Sequence, residues 1–138
     1  MSQIANTIGV NKPETGGILG MSRGIIDNYY FDADAITASG FYYPHIARVN
    51  QIVNEEWATR NVSFCGFVHS HEDGLELSYA DKEYAKELLK AVAHLRDSLH
   101  FLVVNPKSTD ADFSIRAYTA LSLPNGEVAF GQADIIII

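Results

Sequence analysis

The spacing of apolar residues changes several times along this chain, and each change marks an element. Gly16-Gly17-Ile18-Leu19-Gly20-Met21 is a short apolar run, and Ile25 to Phe31 follows it after Ser-Arg-Gly, so the two predict a β-hairpin. From Pro44, which suits a first helical turn, Ile46, Val49, Val53 and Trp57 recur at three-to-four spacing and predict a helix over roughly 44 to 59. Val62 to Val68 is then almost continuously apolar, as a central strand covered on both faces would be, with His69 and His71 at its C-terminal end.

After a polar loop, Ser78 can cap a second helix whose apolar stripe runs Tyr84, Leu88, Val92 and Leu95. Phe101 to Val104, Phe113 to Ala120 and Glu127 to Ile138 have strand character, and Asn125-Gly126 marks a hairpin turn before the last. Strands alternating with helices and then continuing as strands predict an α/β fold, a mixed-sheet sandwich flanked by helices. No repeat or Pro/Gly-rich linker divides the chain, so residues 1–138 are expected to form one domain. The closing Ile135-Ile136-Ile137-Ile138 is expected to be a sheet strand, and as an unpaired apolar edge it would invite a partner chain.

Charge narrows the partners. Ten Lys and Arg against seventeen Asp and Glu leave a net charge of -7, without a basic cluster, which disfavours nucleic acid. No apolar run approaches the roughly 18 residues of a membrane span and no basic-then-apolar leader opens the chain, so a cytoplasmic protein is expected. Cys65 is the single cysteine, which rules out an intrachain disulfide and a Cys-based zinc knuckle. Strong metal ligands must therefore come from His, Asp and Glu.

Those residue types converge at one place. Residues i and i+2 of a strand share a face, about 6.6 Å apart along the chain, so His69 and His71 can reach one ion. Asp81 falls at i−4 and i−7 from Ala85 and Leu88 and so leans toward the buried stripe of its helix, where a carboxylate needs a cation. Two imidazoles and one carboxylate with a position left for water is the ligand pattern of catalytic rather than structural zinc. Ser78 and Asp81 also match the capping-box pattern that opens many helices. Upstream, Glu14 precedes Gly16 and Gly17, which allow a neighbouring strand to approach closely enough to bring that carboxylate beside the ion.

Pro13-Glu14-Thr15-Gly16-Gly17-Ile18-Leu19-Gly20, then His69-Ser70-His71 at the end of an apolar strand, then Ser78-Tyr79-Ala80-Asp81 opening a helix, resembles the JAMM motif of the JAB/MPN metalloproteases. The pieces span residues 13 to 81, and the order of strands and helices agrees over nearly the whole chain. The loop from His71 to Ser78 is one residue shorter than usual, and Glu72 stands where a proline often follows. The resemblance implies a JAB/MPN, cytidine-deaminase-like architecture, with one catalytic Zn2+ held by His69, His71 and Asp81. It further implies Glu14 as general base and Ser78 as oxyanion donor. The implied activity is zinc-dependent cleavage after the C-terminal glycine of a ubiquitin-like modifier, in precursor processing or deconjugation, of the kind found in bacterial ubiquitination-like or antiviral pathways. Implied partners are the modifier, its conjugates and E1/E2-like enzymes. A zinc peptidase acting on short peptides and a non-catalytic MPN-type scaffold are the alternatives.

Other chemistries fit less well. His69, His71 and Asp73 open a metallo-β-lactamase pattern, but Gly74 stands where a further His is needed. A zinc deaminase would require a second cysteine. Cys65 and His69 share strand parity, yet four residues of strand separate them by about 13 Å, too far for a dyad. His45, His94 and His100 lack ligand-like spacing, and Glu55 and Glu56 belong to the solvated face of the first long helix.

Overall fold

The computed structural model describes residues 3–4, 15–33, 36–38, 41–43, 46–71, 74–92, 96–106 and 113–137. Among the described residues the main elements run in the order β1 (Gly16–Ser22), β2 (Ile25–Phe31), β3 (Ile36–Ala38), β4 (Phe41–Tyr43), α1 (Ile46–Gln51), β5 (Ser63–Ser70), α2 (Tyr79–Val92), β6 (Ser98–Pro106), β7 (Phe113–Ser122) and β8 (Val128–Ala133). The fold is α/β: an open six-stranded mixed sheet in the order β2-β1-β5-β6-β7-β8, in which β5 and β6 are parallel and the remaining neighbours antiparallel. β3 and β4 pair separately as a small antiparallel ribbon that apolar spacing did not reveal.

Turn chemistry explains the hairpins. Arg23 and Gly24 both have positive φ, 53° and 78°, the conformation that matches a two-residue turn to the twist of its strands. The β7–β8 turn closes where Gly126 N–H donates to Leu123 C=O and Leu123 N–H to Glu127 C=O, with Pro124 at the position its fixed φ favours.

The faces of the sheet are sorted by one irregularity. Gly16 to Leu19 pair in step with His69 to Gly66, but Gly20 pairs with Phe64, so Cys65 is an extra residue that bulges β5 and inverts its alternation. Phe67 consequently joins Ile18, Leu99, Phe101, Val103, Tyr118 and Ala120 on the face covered by both helices. Cys65 instead packs with Leu19, Val68, Leu102, Val104 and Ile4 on the opposite face. Beside the bulge, Gly66 has φ +156°, and a Cβ there would lie 1.7 Å from His100 C=O, so only glycine lets β5 and β6 approach this closely.

Five expectations are corrected by the structure. The helix predicted over 44 to 59 is α-helical only to Gln51 and continues as a π turn, Ile52–Trp57, and a 3-10 turn, Ala58–Arg60. Ile52 and Trp57, five apart, are both buried as the π repeat dictates, whereas the α-periodic stripe had assigned that place to the half-buried Val53. Along α2 the deepest residues are Ala85 and Leu89, because the helix rests on the sheet through the row that begins at Asp81; Tyr84, Leu88 and Val92 flank it. Cys65 and His69 do not share a face, because of the bulge. The final strand stops at Ala133, and Ile135, Ile136 and Ile137 lie exposed in no strand. Among the described residues no helix is long and apolar enough to cross a membrane. Pro44, Leu95, Ile138, Asp73, His45 and His94 lie outside the described residues.

Candidate metal centre

At the C-terminal end of β5 the corrected alternation turns His69 and His71 toward the helix-covered face and Ser70 between them toward the other. Each residue is tied to a neighbouring strand. Ser70 N–H donates to Thr15 C=O at 2.9 Å, and Thr15 N–H returns a bond to Ser70 Oγ at 3.1 Å. On the other side, His71 N–H donates to Val104 C=O at 2.8 Å, which keeps the chain extended one residue past the strand. The two imidazoles therefore leave a backbone fixed on both flanks.

The carboxylate comes from the helix that lies over this face. Ser78 caps α2 reciprocally: Asp81 N–H donates to Ser78 Oγ at 3.1 Å, and Ser78 N–H donates to Asp81 Oδ2 at 2.9 Å. Tyr118 O–H donates to Leu75 C=O at 2.7 Å and Arg116 pairs with Glu76, so β7 anchors the segment leading into the cap. Because Asp81, Ala85 and Leu89 lie on one side of α2, packing of the last two against the sheet carries Asp81 down to the histidines.

What results is a compact, buried donor cluster. His69 Nε2 and His71 Nε2 are 2.8 Å apart, His71 Nε2 is 3.0 Å from Asp81 Oδ2, and His69 Nε2 is 3.3 Å from Asp81 Oδ1. His69 is 3% and His71 7% exposed. Tetrahedral ligands at about 2.1 Å from an ion stand roughly 3.4 Å apart, so the cluster is slightly tighter than a loaded site. Three acceptor atoms directed at one point repel unless a proton or a cation sits among them. Burial would raise the Asp81 pKa, but hydrogen bonds with His69 and His71 and the Ser78 N–H hold it well below the usual carboxylate range. The carboxylate is thus kept charged, as a ligand must be. His69, His71 and Asp81 form a buried triad able to hold a metal ion, and among the described residues no further His, Cys, Asp or Glu joins it.

The chain matches no protein-family model, and no curated protein is similar to it in sequence.

Of the residues singled out from sequence, the fold brings together His69, His71, Asp81 and Ser78. Glu14 lies outside the described residues. Cys65 is fully buried on the far face, and burial pushes its thiol up to about 12, so it takes no part. His100 is half-buried and bonds Thr119 Oγ1 at 3.1 Å, which accounts for it structurally. Sequence reasoning missed Asp32. It is 2% exposed, its N–H donates to Gly16 C=O, and alternation along β2 turns its side chain to the helix-covered face, level with His69 across the side-chain-free Gly16. The available signal was its parity with Tyr30, directly after the aromatic Tyr29-Tyr30-Phe31.

Proposed function

We propose that this protein is a zinc-dependent peptidase or isopeptidase of JAMM type, with the JAB/MPN architecture that its motif order resembles. The observation that carries the reading is the His69–His71–Asp81 cluster: two nitrogens and one carboxylate, buried, within 4.8 Å of one another. Three protein ligands leave a coordination position open, as in catalytic zinc sites, whereas structural sites use four. When bound there, zinc supplies a Lewis acid and lowers the pKa of water toward about 7.

The chain's own residues have the following roles in this reading. His69 and His71 bind through Nε2, and Asp81 supplies the charge that neutralises half of the ion. Glu14 takes a proton from the attacking water and returns it to the departing amine. Its assignment is supported by covalent geometry: it is one peptide bond from Thr15, whose N–H and C=O are both bonded to Ser70, between the two histidine ligands. Ser78 Oγ accepts the Asp81 N–H and keeps its own proton to donate to the oxyanion, so capping and catalysis use different parts of one hydroxyl.

The substrate in this reading is the C-terminal glycine bond of a ubiquitin-like modifier, in a precursor or joined to a lysine. Tyr79, next to Ser78 and 80% exposed, supports a protein substrate, because protruding aromatics are enriched where proteins meet. The test combines metal analysis with cleavage of ubiquitin-like fusion proteins with and without chelator. The expected result is one zinc per chain and cleavage that chelator removes, zinc restores and Glu14→Ala abolishes while metal is retained. Normal turnover in Glu14→Ala would refute the base. Bound zinc with no cleavage of fusions or short peptides would favour the scaffold.

A further inference from the structure

The six-stranded sheet carries an open apolar groove that includes none of the metal-centre residues, and the chain exposes a segment suited to fill it. The groove, about 970 Å³, lies between α1 with its π turn and α2, and its apolar lining includes Val53, Phe64, Tyr84, Leu88 and Val92. These side chains are only half-buried, so the face they make is incompletely covered. In a chain of net charge -7, the charged residues lining the groove among the described residues are Arg23 and Arg96, with no acid. Its chemistry selects an apolar peptide bearing a negative charge.

After β8 ends at Ala133, Asp134 is followed by Ile135, Ile136 and Ile137, which are 38%, 84% and 70% exposed. Exposed β-branched residues in sequence, outside any strand, form an apolar patch that a folded chain ordinarily covers. The segment cannot reach its own groove. β8 runs parallel to β5 and β6 and leaves the sheet at the end where His69 lies, on the far edge from β1. The groove opens beside Met21, Arg23 and Ser63, at the other end of β1 and β5, and extends toward the histidines only as far as Phe67, two residues before His69.

We propose that residues 134–137 of one copy dock in the α1–α2 groove of a second copy, with the isoleucines on its apolar lining and Asp134 facing Arg23 or Arg96. Because the two surfaces are different and lie at opposite ends of the sheet, the contact is head-to-tail rather than self-complementary. The metal centre is part of neither surface, so this association does not depend on the proposed enzymatic activity.

The test is the mass of the full chain in solution across a concentration series, by light scattering or sedimentation. Wild type is expected to grow in mass with concentration. Ile136→Asp/Ile137→Asp, altering exposed residues outside any element, is expected to weaken association at least about tenfold. So are the groove variants Val53→Asp and Arg23→Glu, the second of which alters an exposed turn and leaves the core intact. Mixing the tail variant, whose groove is intact, with either groove variant, whose tail is intact, should recover a one-to-one complex. A wild type that stays monomeric throughout, variants that associate like wild type, or mixtures that yield no heterodimer would each overturn the proposal.

Discussion

One oxygen of Asp81 serves Ser78 and His71 together: Oδ2 accepts the Ser78 N–H at 2.9 Å and lies 3.0 Å from His71 Nε2. The cap that starts α2 is therefore also the device that orients the ligand carboxylate, because a side chain held from its own backbone turn has little rotamer freedom left to lose on binding an ion. Any change at the cap is felt at the site, and the reverse.

Zinc binding should depend on all three ligands. His69→Ala, His71→Ala and Asp81→Ala are each expected to lower zinc affinity by about a hundredfold or more, measured by competition with a chromophoric chelator. Asp81→Asn should retain the helix start, because an amide oxygen can still accept the Ser78 N–H, yet lose affinity through the missing charge. Equal zinc affinity in Asp81→Asn and wild type would remove the carboxylate from the ligand set.

The cap formed by Ser78 and its proposed oxyanion role separate by substitution. Ser78→Ala should destabilise the fold by about 1 kcal/mol in urea unfolding, and Ser78→Gly by only a few tenths. As an oxyanion donor, the same hydroxyl predicts a similar fall in kcat for both variants, by roughly a hundredfold or more. A fall in kcat that follows stability rather than loss of the hydroxyl would leave Ser78 with the cap alone.

Gly66→Ala should be among the most damaging single-atom additions to this chain. The new Cβ would meet the His100 carbonyl at 1.7 Å in a backbone conformation that disfavours side chains, so the parallel β5–β6 pair must part. The expected loss is roughly 3 kcal/mol or more by denaturant unfolding, with zinc affinity falling too because His69 and His71 extend from the same strand.

Cys65 should be silent toward thiol reagents in the native state and react once the protein is unfolded. Burial raises its pKa from 9.0 to about 12, so the folded protein retains the proton across a range in which the unfolded chain releases it. The sign follows: the thiol costs no stability below pH 9, and above it stability declines until about pH 12, where the folded thiol also ionises. Cys65→Ala should flatten that alkaline decline in unfolding curves; an unchanged slope would place its origin elsewhere.

Much of this was legible along the chain. The hairpin of β1 and β2 is announced by two strand-like segments around a Ser-Arg-Gly turn, the central strand by its nearly continuous apolar character, and α2 by its capping residue. His69, His71 and Asp81 could be grouped because period-2 and period-3.6 spacing are local properties of strand and helix. Local rules failed where a distant neighbour set the geometry. The π turn at Ile52–Trp57 forms as Trp57 settles over Gly20, and the bulge at Cys65 exists because Gly66 must pass close to the His100 backbone.

The amino-acid order by itself determined which side chains could serve as ligands, which segments form the long strands and helices, and that the core would be a sheet with helices against it. Each of these depends on residues within a few positions of one another. Tertiary structure alone decided that Phe67, His69 and His71 face the helices while Cys65 faces away, that Asp81 arrives on the side of the two imidazoles, and that the isoleucines after Ala133 stay outside the sheet. The reason is that a bulge and a strand end are settled by pairing across the sheet, between residues far apart in the chain, and no spacing along one strand records its partner's register.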